Sequence, residues 1–231
     1  MIRKILFSSI MLFIAIQGYA RSYSYLDTIP RRVLILGNSI TYHGAKASVG
    51  WSGNWGMAAS TAEKDYVHRL ESKIRGIHPN TLFKSGNIAN SFERQFWKYN
   101  SDDFRDYQAF NADLVILVTG ENIDDALAVK QGLETHLERF IRELSGKPDL
   151  KVCLVGSFWP NKHIDKIMKA TADRNNWAYV DLQGLYQERE KNTAIRQYQD
   201  KGVGMHPSDL GMENIANRIW NNIQDLFINQ Q

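Results

Sequence analysis

The sequence predicts a single α/β domain built on a parallel β-sheet with helices on both of its faces. Three observations carry the prediction. Val33-Leu34-Ile35-Leu36 and Leu114-Val115-Ile116-Leu117-Val118 are unbroken apolar runs, the pattern of strands buried on both sides. Strand-like runs alternate with segments of helical period along most of the chain. Glycine with serine or asparagine follows several runs, at the carboxyl strand ends where open α/β sheets present their chemistry.

Taken in order, the chain begins with a segment set apart from the fold. Arg3 and Lys4 precede an apolar run, Ile5 to Ile16, and Gly18-Tyr19-Ala20 ends in small residues. This reads as a secretory signal peptide cleaved after Ala20, which leaves residues 21–231 as one domain. The run is short for a membrane span, and an uncleaved anchor is the alternative. Strand 33–36 ends at Gly37, and Asn38-Ser39 follow. Tyr42 to Ser60 lacks periodicity and reads as a long loop with a short helix near Met57-Ala58-Ala59. A long loop inside a compact domain is usually functional. Glu63 to Ile77 places Tyr66, Val67, Leu70 and Ile74 at helical spacing, and Pro79-Asn80 ends it.

Thr81 to Ser85 is the second strand and Gly86 to Asn90 a loop leading to a helix over Phe92 to Tyr99. Asp113 to Thr119 is the third strand, ending in Gly120-Glu121-Asn122. One long helix is predicted from Asp124 to Leu144, its acidic start suiting the helix dipole. Lys151 to Val155, a helix over Asn161 to Arg174, and Trp177 to Asp181 follow. The chain closes with His206-Pro207-Ser208-Asp209 and a helix through Ile215, Ile219, Trp220 and Leu226. No repeat or interdomain linker interrupts the pattern.

Composition excludes several classes. Removing the leader takes Arg3 and Lys4 and no acidic residue, so the formal charge falls from +3 to +1, which gives no electrostatic case for nucleic acid. Cys153 is the single cysteine and lies mid-strand, so no internal disulfide forms and a core role is indicated. No phosphate-binding Gly-x-x-x-x-Gly-Lys stretch occurs, and Gly202-Val203-Gly204 lacks the context of a dinucleotide fingerprint. The six histidines are scattered, so no metal or other cofactor is expected.

In a parallel sheet the groups after each strand share one edge. Ser39, the 86–90 loop, Gly120-Glu121-Asn122 and His206 therefore converge. A hydroxyl, an imidazole, a side-chain amide and loop N–H groups are the parts that acyl transfer needs. The plainer reading of Ser39 is a helix N-cap. Gly37-Asn38-Ser39-Ile40 resembles the Gly-Asp-Ser-Leu block of the SGNH (GDSL) hydrolases. Gly120-Glu121-Asn122 resembles their Gly-x-Asn block and His206-Pro207 their C-terminal histidine block.

The resemblance implies a flavodoxin-like three-layer α/β/α sandwich, with the five-stranded parallel sheet read above, and hydrolysis of esters, often acyl groups on carbohydrate. It implies Ser39 as nucleophile and His206 as base. The oxyanion donors it implies are the Ser39 N–H, the Asn122 amide and the N–H of Ala89, with Gly86 as the alternative to Ala89. It also implies an aspartate three residues before the histidine, where this chain has Val203. Three groups are alternatives for that place: a backbone carbonyl near Val203 or Gly204, Asp200, and Glu121, of which Glu121 is favoured for its position at a strand end.

His43, Trp51 and Trp55 are candidate substrate contacts, the tryptophans as a stacking platform for a sugar or, equally, as cover for the loop. The expectation is an exported, secreted or periplasmic serine esterase that needs no cofactor. Its partner would be an acylated small molecule or glycan, with no membrane contact after leader cleavage. A non-catalytic glycan-binding protein on the same fold and a lipid-acting esterase are the rival readings.

Overall fold

The computed structural model describes residues 29–228, so the predicted signal segment, residues 1–20, lies outside the described residues. Five strands form one sheet: β1 (Arg32–Gly37), β2 (Leu82–Asn87), β3 (Leu114–Val118), β4 (Lys151–Val155) and β5 (Ala178–Val180). Their order is β2-β1-β3-β4-β5, and every neighbouring pair is parallel. β1 and β3 are central and almost wholly buried, which is why both read as unbroken apolar runs. β2, at an edge, leaves Leu82 and Ser85 exposed and tolerates the polar sequence of residues 84–87.

The helices are α1 (Tyr66–Arg75), α2 (Arg105–Phe110), α3 (Asp125–Gln131), α4 (Leu133–Glu143) and α5 (Lys162–Asn175), then the single turns α6 (Arg189–Asn192) and α7 (Lys201–Gly204), and α8 (Asp209–Ile223). Alternate strand residues divide between two cores, as the period of two requires. Val33, Ile35, Ile116 and Val155 face α1 and α8 through Leu70, Ile74, Ile215 and Ile219. Leu34, Leu36, Val115 and Leu154 face α4, α5 and an aromatic group of Phe92, Phe96, Phe104 and Phe140. The result is a three-layer α/β/α sandwich. Side-chain oxygens of Asp65, Asp124, Asn161 and Ser208 accept N–H groups at the starts of α1, α3, α5 and α8.

Three local expectations are corrected. The long helix predicted over 124–144 is broken at Gly132, whose φ of 69° ends α3 and starts α4 in the left-handed region. The helix predicted over 92–99 shrinks to a 3-10 turn at Glu93–Gln95. The aromatic spacing there serves packing, with Phe92 stacked on Phe140 at 4.1 Å. No helix forms at Met57–Ala59, where Ala58 has a φ of 73°. Instead the 42–60 loop folds on itself through antiparallel bridges His43–Trp55 and Lys46–Trp51. Cys153 is buried in β4, and burial pushes its thiol up to about 12, which leaves it protonated and inert.

No helix among the described residues is long and apolar enough to cross a membrane. The chain leaves β1 toward β2 on one side, while β3 leads to β4 on the other. The crevice between the carboxyl ends of β1 and β3 is therefore the topological switch point of the sheet.

Candidate active site

Gly37 closes β1 and must be glycine. A Cβ there would lie 2.1 Å from Thr41 Oγ1 and 2.5 Å from the Val118 carbonyl oxygen. Asn38, fully buried, accepts the Ile40 N–H on Oδ1 at 3.0 Å and donates Nδ2 to Glu121 Oε2 at 2.6 Å. Thr41 and Tyr42 both donate their N–H groups to the Asn38 carbonyl, at 3.0 and 3.1 Å. Ser39 thus stands on a tight turn fixed from both flanks. It caps no helix, since the chain continues into loop, and its hydroxyl faces a cavity of about 540 Å³.

His206 reaches that cavity from the segment between α7 and α8. Ser39 Oγ and His206 Nε2 are 2.7 Å apart, and His206 Nδ1 is 2.7 Å from the Gly202 carbonyl oxygen. A carbonyl only accepts, so Nδ1 carries the proton, Nε2 holds a lone pair, and the Ser39 hydroxyl donates to it. The partner arises from helix geometry. α7 is one turn long, the His206 N–H goes to the Val203 carbonyl, and the imidazole takes the carbonyl four residues back. Asp200 caps this turn by accepting the Val203 N–H at 2.9 Å. Trp159 packs edge-on against the imidazole, with centroids 4.9 Å apart, and donates Nε1 to the Met205 carbonyl. Burial, the largest effect, lowers the His206 pKa to about 4, with the charge of His43 adding to it and the Gly202 contact opposing it.

The third group is therefore a backbone carbonyl, that of Gly202. Glu121, favoured from the sequence, does not reach the imidazole. Its Oε2 accepts from Asn38 and its Oε1 from the Phe158 N–H at 2.8 Å, so it ties the ends of β1, β3 and β4 together. Burial and the charge of Glu93 raise its pKa. Glu121→Gln is expected to leave the pH dependence of any His206-dependent reaction unchanged. It should lower the unfolding free energy by about 1–3 kcal/mol, because one end of the new amide faces a donor. A shifted pH profile with unchanged stability would return Glu121 to the imidazole.

Asn122 lines the cavity beside Ser39. Its Nδ2 donates to Glu93 Oε2 at 2.6 Å and its Oδ1 accepts from Arg94, which leaves one amide hydrogen uncommitted. Ala89 also lines the cavity, but its N–H already donates to Asn87 Oδ1 at 2.9 Å. Gly86 lies within β2 with the Tyr107 hydroxyl where its Cβ would be, away from the cavity.

His43 lines the cavity with Nδ1 held by the Gly44 carbonyl at 2.6 Å. The tryptophan platform is not formed. Trp51 is 3% exposed and packs with Met57, Ala194 and Val203, and Trp55 meets it edge-on at 5.6 Å. Both donate their Nε1 hydrogens inside the loop, to the His43 and Ala59 carbonyls. They support the floor under α7. Trp159, Glu93 and Arg94 are the site residues that sequence reasoning missed. Trp159 carried a signal in its place just beyond β4, on the same sheet edge. No cluster of histidine, cysteine and carboxylate side chains suited to a metal exists among the described residues.

A scan against protein-family models finds no match, and neither does a search of curated proteins. Solved structures do match. One is a two-domain esterase active on acetylated mannans, co-crystallised with mannopentaose, at a TM-score of 0.60 and 18% identity over 87% of this chain. This chain spans about half of that protein's length, 51%. Proteins described as GDSL-like lipases from Bacteroides ovatus and Bacteroides uniformis match at TM-scores of 0.51 and 0.50, each at 14% identity. Each match covers 84% of this chain, and 98% and 95% of theirs respectively. The chain has the SGNH-hydrolase fold. At these identities the likeness is one of fold, and the site rests on this chain's own residues, Ser39, Asn122 and His206, which line one cavity.

Proposed function

We propose that the chain is a serine esterase that removes acetyl or short acyl groups from carbohydrate through an acyl-enzyme on Ser39. The 2.7 Å contact between Ser39 Oγ and a His206 of fixed tautomer carries the reading. In the acylation step the Ser39 oxygen attacks the ester carbonyl as its proton passes to His206 Nε2. The carbonyl electrons move onto oxygen, where the Asn122 amide and the Ser39 N–H meet the developing charge. Collapse expels the alcohol, which takes the proton from Nε2, and water then releases the acid by the same route.

The lining supports a hydroxyl-rich substrate, since Asn87, Asn90 and Asn122 bring side-chain amides to the cavity. The matched esterase active on acetylated mannans supports carbohydrate as the class. The leader-like start of residues 1–20 supports a place outside the cytoplasm. The test is hydrolysis of p-nitrophenyl acetate and of acetylated mannan, with labelling of Ser39 by a fluorophosphonate read by mass spectrometry. Turnover of either ester with label on Ser39 is expected. No turnover of either and no label would discard the esterase reading. Retained mannan binding in that case would move the chain to the binding-module reading.

A further inference from the structure

We propose that Glu93 and Arg94 are positioning residues that lock the Asn122 amide with one N–H turned toward the substrate carbonyl oxygen. The inference rests on the esterase reading above and deepens it. Glu93 is fully buried, which is costly for a carboxylate unless every lone pair has work. Its Oε1 accepts from Thr119 Oγ1 and from the Gly120 N–H, both at 2.7 Å. Those two bonds alone would tie the strand end to the turn. Its Oε2 takes the Asn122 amide at 2.6 Å.

The next residue grips the other end of that amide. Arg94 donates through one nitrogen to Asn122 Oδ1 and through the other to Asn90 Oδ1, at 2.9 Å for the latter. An asparagine amide is nearly symmetric in shape and turns over readily. Turned over, it would present a carbonyl to the oxyanion and repel it. Here a group that only accepts sits at Nδ2 and a group that only donates sits at Oδ1, so the two constraints allow one orientation. The pair also places a carboxylate and a guanidinium together, so the grip adds no net charge beside the developing oxyanion. Consecutive residues of one 3-10 turn, Glu93–Gln95, supply both halves.

Glu93→Gln separates this role from a structural one. The new amide keeps the shape, but one of its ends donates, so either Asn122 or the Thr119–Gly120 pair loses its acceptor. The expected result is a 10- to 100-fold fall in kcat with KM within about twofold, since the interaction matters where charge develops. Affinity for a boronic acid, which mimics the tetrahedral adduct, should fall by a similar factor. On an Asn122→Ala background, Glu93→Gln should cost nothing further. Additive losses, or kcat and KM moving together with the melting temperature, would overturn the proposal. A readout independent of turnover is the Asn122 side-chain NH2 pair in a 15N correlation spectrum. In the native protein its two protons should be widely split and the bonded one slow to exchange, and Glu93→Gln should collapse both properties. A native pair with ordinary shifts and exchange overturns the proposal even if the esterase reading holds. A protein without turnover but with the split pair would fail the esterase reading alone.

Discussion

Ser39→Ala and His206→Ala are each expected to lower kcat for acetyl-ester hydrolysis by about 10⁴-fold, and the double substitution by no more than either alone. The hydroxyl and the imidazole share one proton across 2.7 Å, so removing either ends the same event. What remains is binding and the oxyanion donors. If the double variant loses clearly more than either single variant, toward the product of the two losses, or if either single variant keeps more than a tenth of native activity, the shared-proton account fails. The native pH profile belongs to the same argument. The reaction needs neutral imidazole, and burial holds the His206 pKa near 4 instead of 6.5. Activity should hold from neutrality to about pH 5 and halve near pH 4. The shift also bears on stability. The unfolded imidazole takes its proton near 6.5 and the folded one near 4, so stability is full above 6.5 and falls as the pH drops between the two. An activity midpoint at 6.5 would contradict the burial of the ring.

Gly37→Ala is expected to destabilise the fold by about 3 kcal/mol, at the upper end of overpacking effects. The added methyl would stand 2.5 Å from the Val118 carbonyl oxygen, a backbone atom of the neighbouring central strand, so it cannot be relieved by rotating a side chain. Urea denaturation measures the cost, and activity should fall with it, because residues 38–42 turn directly from that point. A loss below about 0.5 kcal/mol would mean that β1 and β3 slide apart more easily than their central, fully paired position implies.

Much of this was legible in the residues. The buried strands β1, β3 and β4 fall where apolar runs placed them, because a strand buried on two faces has few sequences open to it. The edge strand β2 instead runs on through Gly86 and Asn87, which read as loop because an exposed edge tolerates polar residues. The meeting of Ser39 and His206 in one cavity was legible because the parallel order brings strand ends together whatever their separation in the chain. The misses have a common physical origin. Gly132 breaks a helix whose apolar period runs on across the break, so periodicity alone cannot see it. Phe92, Phe96 and Tyr99 mimic helical spacing because an aromatic cluster needs rings at those intervals. Trp51 and Trp55 are large rings in a loop, and only the fold tells whether such rings face solvent or the underside of α7. The partner of His206 was the hardest to read. Strand-end placement pointed to Glu121, but that carboxylate is held by Asn38 and Phe158, and a main-chain oxygen carries no side-chain signature.

That main-chain oxygen changes what sequence drift can do to the site. A carboxylate partner can be deleted by one codon. The Gly202 carbonyl cannot, since any residue at 202 supplies the same oxygen, and the ring loses its anchor only if the turn itself is redrawn. The vulnerable positions are displaced to residues that shape the turn without touching the imidazole: Asp200 at its start, and Val203 seated on Trp51 and Met57 beneath it. For this chain, tolerance to substitution along 200–204 should follow helical geometry, and the identity of the acceptor should hardly matter.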